Sequence, residues 1–285
     1  LPYVIRQGAV TVSNPGSLTF EAGAVVKLSG GAGTSNGRIR ATRPVAAQGT
    51  AAEPVIFTSL QDDSAGGDTN NDGTATLPAK GDWQGVHMMG GGSGSFENTI
   101  IRYGGQSQGE VTASAVYGPV TMTDVEVSSS STIGFYLESS VATLTNARFL
   151  ANGGQGVYLE SGAISTMTGV EFRGGLSEGL RVGNAQAYVY GSTFASNASY
   201  GAHVDNGAAT LWMATAAFTD NGNAVIRMHP QVNFLLTGAV TASGSPILGV
   251  GVFSGIISQP RTWRRSPLPY VIRQGAVTVS NPGSL

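Results

Sequence analysis

FLANGGQGVYLESGAISTMTGVEFRGGLSEGLRVGNAQAYVYGSTFASNASYGAHV, residues 149–204, repeats one short pattern at a spacing of 22 to 23 residues. Phe149, Phe172 and Phe194 mark the same point of successive repeats, and the register extends outward to Val127 before them and Phe218 after. Asn follows three residues later at Asn152, Asn197 and Asn221, and Gly stands seven residues on at Gly134, Gly156, Gly179 and Gly201. Each Gly opens an apolar triplet: FYL at 135–137, VYL at 157–159, LRV at 180–182 and AHV at 202–204. A second triplet follows: TMT at 121–123, TLT at 143–145, TMT at 166–168 and YVY at 188–190.

These segments are too short, and their Gly and Asn turns too frequent, for amphipathic helices. A period near 22 with three short strands per turn predicts a solenoid whose coils bury one another. Parallel pairing sets a rise of about 4.8 Å per coil, so roughly eleven coils make a rod on the order of 50 Å long. Asn and Gly tolerate left-handed backbone, so the corners are expected at the Asn and Gly columns. The Phe column is expected inside.

Composition agrees with a buried core. Hydrophobic residues make up 41% and charged residues 11%, with 42 Gly, no Cys and a net charge of −2. No cysteine means no disulfide framework and no thiolate metal site. The charge balance provides no basic field for nucleic acid, and no apolar run is long enough for a membrane-spanning helix. The chain opens at Leu1 without an initiator Met or leader, which reads as a mature product or an excised piece.

Residues 1–18, LPYVIRQGAVTVSNPGSL, recur letter for letter at 268–285. The chain is thus expected to be one 267-residue period plus the opening of the next, unless the duplication was introduced artificially. This divides it into a β-helix at 1–257 with a polar loop at 61–82, a junction at 258–267, and the start of the next repeat at 268–285. The stretches GSLTFEAGAVVKL (16–28), GTAAEPVIFTS (49–59), DDSAGGDTNNDG (62–73) and GDWQGV (81–86) follow the opening repeat in order. In this order they resemble a bacterial cell-surface repeat domain with the right-handed parallel β-helix, pectin-lyase-like fold. The resemblance implies an all-β solenoid in an extracellular, surface setting and says almost nothing about chemistry.

The best metal signal is Asp68, Asn70, Asp72 and Gly73, a D-x-N-x-D-G run that sets oxygen ligands around Ca²⁺, with the Thr74 carbonyl as a further ligand. Ala79 stands where an EF-hand has its Glu, so Asp62, Asp63 or Asp82 would complete the shell; the bland alternative is a turn-rich surface loop. Strand alternation turns Phe135 and Leu137 inward and leaves Tyr136, Glu138, Tyr158, Glu160, Arg181, His203 and Asp205 as an outward ladder. Such a ladder suits a sugar chain. Glu138 and Glu160 would lie at the carboxylate separation of a retaining glycosidase, although any outward pair on adjacent coils does so. The bland reading pairs Glu160 with Arg181 on a solvated face.

The Thr-x-Thr rows, continued by Tyr188/Tyr190 and Leu211/Met213, resemble an ice-binding surface broken after three rows, and their apolar end a contact patch. GLSEG at 175–179 matches a nucleophile elbow by letters but occupies a coil corner, so no catalytic residue is assigned. Tyr3, Arg261, Trp263, Arg264, Arg265 and Tyr270 are expected at a junction between units.

Together these features favour a structural or adhesive extracellular protein, an adhesin or filament unit assembled end to end with other copies of itself. A polysaccharide-binding or -degrading β-helix is the alternative and an ice-binding protein a minor one. Sparse charge argues against an enzyme. No nucleic acid or membrane partner is expected.

Overall fold

Inward-facing β-branched and aromatic residues repeat once per coil, and the chain wraps them into a parallel β-helix of about eleven coils. The computed structural model describes residues 1–6, 8–30, 37–106, 109–114 and 118–284. Their strands form two sheets. The eleven-stranded sheet B takes one strand from each coil, and the fourteen-stranded sheet A takes the rest. Val127, Phe149, Phe172, Phe194 and Phe218 pair in register on adjoining coils of sheet A. Their rings are buried, and those of Phe172 and Phe194 stack at 4.7 Å and those of Phe194 and Phe218 at 4.8 Å.

The corners differ from expectation. Left-handed backbone falls one residue before the Asn column, at Ala151, Ser196 and Asp220, and at the equivalent Ser129, Gly174 and Gly244 of coils without the Asn, where φ lies between 52° and 69°. Asn152, Asn197 and Asn221 instead work through their amides. Asn197 Nδ2 donates to the Phe172 carbonyl at 3.2 Å and Asn221 Nδ2 to the Phe194 carbonyl at 3.0 Å, in each case on the preceding coil. The recurring Gly serves close approach: a Cβ on Gly156 would stand 2.7 Å from the Gly179 carbonyl oxygen.

The Thr-x-Thr column is also corrected at its end. Tyr188 pairs with Trp212 and Tyr190 with Ala214, so Leu211 and Met213 lie inside and Trp212 points out. The coil between them is longer than its neighbours (Tyr188 to Trp212 spans 24 residues), which shifts the phase of its strand.

At the amino end, strands Tyr3–Arg6 and Ala9–Val12 form the first coil, the former in sheet A and the latter in sheet B. The 61–82 loop folds back over sheet A. Fully buried Lys27 donates to the Gly67 carbonyl, and Asp62 pairs with Arg102 at 2.6 Å. Trp83, also fully buried, returns the chain to the stack with its indole N–H on the Arg102 carbonyl at 2.9 Å. At the carboxy end, strand Ile247–Ile257 is followed by strand Tyr270–Val279 in sheet B. Between them, Trp263 donates to the Pro230 carbonyl at 3.2 Å and stacks on Tyr270, while Arg264 and Arg265 are exposed. No helix among the described residues is long and apolar enough to cross a membrane.

Candidate functional site

The outer face of sheet B gathers most of the polar aromatic chemistry. Thr112, Tyr136, Tyr158, Arg181, His203 and Arg227 pair in register across six successive strands, so residues 22 to 24 apart in sequence become direct neighbours. Tyr136 and Tyr158 face each other with ring centroids 5.5 Å apart. The Arg181 guanidinium sits 4.8 Å from the Tyr158 ring centre and donates to Asp205 through Nε at 2.8 Å and Nη2 at 2.6 Å. The expected Glu160–Arg181 pair therefore does not form. Glu160 accepts the Tyr158 hydroxyl instead, and it is the in-register neighbour of Glu138. Burial, together with the Glu160 hydrogen bond, pushes the Tyr158 phenol well above its ordinary range, so it stays a neutral donor.

Glu178, which sequence reading passes over, completes this group. Its Oε1 lies 3.0 Å from His203 Nδ1. Burial alone would raise its carboxyl, but hydrogen bonds from His203, Ser177 and Gln155 hold it down at about 2. An ionised Glu178 accepts from His203 Nδ1, and His203 Nε2 is buried without a hydrogen-bond partner. The signal for Glu178 was its place one residue before Gly179, just outside the alternating strand. Next to His203, Tyr200, Asn223, Arg227, Phe253 and Arg273 line a shallow cleft. The Arg227 guanidinium packs 4.2 Å from the Phe253 ring centre.

The loop at 61–82 forms a separate cluster. Asp63, Asp68 and Asp72 each bring one carboxylate oxygen within 4.8 Å of the others. Oδ1 atoms of Asp63, Asn70 and Asp72 are buried without a hydrogen-bond donor. Asp68 is held by the N–H groups of Gly73 at 2.8 Å and Asp72 at 3.2 Å, which keep its carboxyl low. A set of hard oxygens at this spacing fits Ca²⁺. Asp62 is directed elsewhere, to Arg102 and Thr58; Asp82 accepts the Ser59 hydroxyl; the Thr74 side of the loop is exposed.

One further acid was missed. Glu110 is fully buried, takes the Gly104 N–H at 2.8 Å and leaves Oε2 unpartnered. Burial pushes its carboxyl up to about 8.

Fold and site together define a parallel β-helix with a polar, aromatic outer face. Residues 84–240, more than half of the chain, match the family model described as a right handed beta helix region, and the chain belongs to that family. No curated protein matches it in sequence. Solved structures similar to it include the catalytic domain of Agl-KA, 16% identical with a TM-score of 0.49 over 86% of this chain. This chain spans 42% of the length of that domain. Another is the A-module of the mannuronan C-5 epimerase AlgE4 of Azotobacter vinelandii, 12% identical with a TM-score of 0.42, covering 98% of this chain and 90% of that one. A third is a mutant of the periplasmic alginate epimerase AlgG, 10% identical with a TM-score of 0.36, covering 97% and 85%.

The expectation of a non-enzymatic chain is set aside: the solved structures of similar fold are a catalytic domain and epimerases, and the likeness to them is one of fold alone. Sparse charge was a poor guide because a solenoid concentrates distant residues: Glu160, Glu178, Arg181, His203 and Asp205 all meet on one face.

Proposed function

We propose that the outer face of sheet B binds an acidic polysaccharide outside the cytoplasm and moves a proton on it. The observation that carries this reading is the Glu178–His203 pair, with a free Nε2, set between Arg181 and Arg227 on the adjoining strands. An imidazole next to guanidinium groups suits removal of a proton from the carbon beside a sugar carboxylate. His203 Nε2, buried in the free protein, has to be uncovered as the sugar binds; the C–H proton then goes to it, and the electron pair moves into the carboxylate, where Arg227 stabilises the developing charge. Return of a proton from water to the other face of the carbon inverts it; expulsion of the oxygen one carbon further, which takes the proton held on His203 as it leaves, breaks the chain and leaves a carbon–carbon double bond. Tyr200 is the tyrosine packed beside His203, and the Tyr136–Tyr158 pair offers ring faces to the sugars.

Incubation in D₂O with alginate, polygalacturonate and a neutral glucan tests it. Deuterium in the acidic polymers, or new unsaturated chain ends, is expected from the native protein and not from His203→Gln. Absence of both, with no binding of any acidic polymer, would sink the proposal.

A second reading concerns the loop. The buried, donor-free oxygens of Asp63, Asn70 and Asp72 favour Ca²⁺ as a structural ion that fixes residues 61–82 against sheet A.

A further inference from the structure

Residues 1–18 and 268–285 are identical; the first copy forms two strands, Tyr3–Arg6 and Ala9–Val12, and the second one strand, Tyr270–Val279, with a register shift at its middle. The first copy turns a corner at Gly8. In the second the strand stays in sheet B and passes through Gly275, where the register slips between the pairs Arg273–Phe253 and Val277–Gly255. Each copy then closes with a turn, Gly16 N–H to Ser13 and Gly283 N–H to Ser280. The same side chains point inward in each. Tyr3, Ile5, Val10 and Val12 pair with the inward Val26, Leu28, Ile39 and Ala41; their duplicates Tyr270, Ile272 and Val279 pair with the inward Val250, Val252 and Ile257, and Val277 pairs with Gly255.

The difference lies in the edge that is used. The first copy pairs with strands that follow it in the chain, Val25–Ser29 and Arg38–Ala41. The second pairs with the strand that precedes it, Ile247–Ile257. Among the described residues, each copy leaves free the edge that the other occupies. The apolar surfaces follow suit. Val12, covered by the next coil, is 6% exposed, whereas its equivalent Val279 is 47% exposed and Ile272 58%. At the amino end Leu1, Tyr3 and Val4 are exposed beside a cavity lined by Ile5, Val10, Leu18, Phe20 and Val26.

We propose that two copies of this unit join head to tail by sharing one such segment. Residues 268–285 of one copy keep their pairing to Ile247–Ile257 and, with their other edge, occupy the place of residues 1–18 on Val25–Ser29 and Arg38–Ala41 of the next. Tyr270, Ile272, Val277 and Val279 are then covered on both sides, and the stack runs on without a break. An intact first coil competes with this joint, because it fills the same place within its own chain at high effective concentration. The isolated chain is therefore mainly monomeric.

Full-length Ile5→Asp protein tests this, since it loosens the first coil and leaves Ile272 untouched. Sedimentation velocity should show head-to-tail oligomers that grow with concentration. An excess of a synthetic peptide of residues 1–18 should return them to monomer, and adding Ile272→Asp to the same chain should abolish assembly. A folded Ile5→Asp chain that stays monomeric at every concentration and does not take up the labelled peptide would overturn the proposal. A chain of two units sharing a single segment provides a reading that does not depend on that variant. One straight rod of about twice the length in electron micrographs supports the joint; two rods meeting at variable angles overturn it.

Discussion

Glu110 and Glu178 are two buried glutamates pushed in opposite directions, and the stability of the fold should register both. Glu110 binds its proton more tightly folded than unfolded. Its contribution is therefore intact below the ordinary glutamate range near 4.5 and is lost as pH rises through about 8. Glu110→Gln, which keeps an acceptor for the Gly104 N–H, should melt above the native protein at pH 8, with the gap closing towards pH 4.5. Equal melting at both values would mean that the acid is not desolvated as described. Glu178 behaves conversely: its contribution is present above about 4.5 and is lost as pH falls towards 2. Asn197 makes a simpler case. Its amide satisfies the Phe172 carbonyl, the Gly175 N–H and Asn221 Oδ1, so Asn197→Ala should cost about 1–3 kcal/mol in denaturant unfolding.

At the scale of strands and loops, the Phe column should be the least replaceable feature. Phe172 stacks between Phe149 and Phe194, and Phe172→Ala should cost ~3–5 kcal/mol, whereas Thr166→Ala on the outer side of sheet A should cost little. The 61–82 loop should respond to metal. Ca²⁺ should raise the melting temperature, and Asp68→Ala with Asp72→Ala should remove the effect; a chelator that shifts nothing would rule the ion out. What could be read from sequence at this scale was whatever recurs in register. Phe149, Phe172 and Phe194 repeat because each coil buries the same position, and the alternation around Phe135 and Leu137 followed from strand geometry alone. Glu178 escaped because it stands before the strand rather than in it. Trp212 escaped because one longer coil changed the phase. Asn152 and its counterparts were placed at the corners because backbone preference says nothing of an amide bonding to the coil before it.

For the whole molecule, pairing along the stack explains why chemistry this sparse can still form a site: neighbours on the outer face are whole turns apart in sequence. It also ties the two ends together. Tyr3–Arg6 lies in sheet A, while its duplicate Tyr270–Arg273 continues sheet B. In an array joined through that segment, each junction therefore advances the following unit around the long axis by one face, as on a spiral stair. The His203 rows of successive units would look out in different compass directions. A straight polymer lying along the fibre could meet only some of them, and the array would present its sites to polymers arriving from several sides.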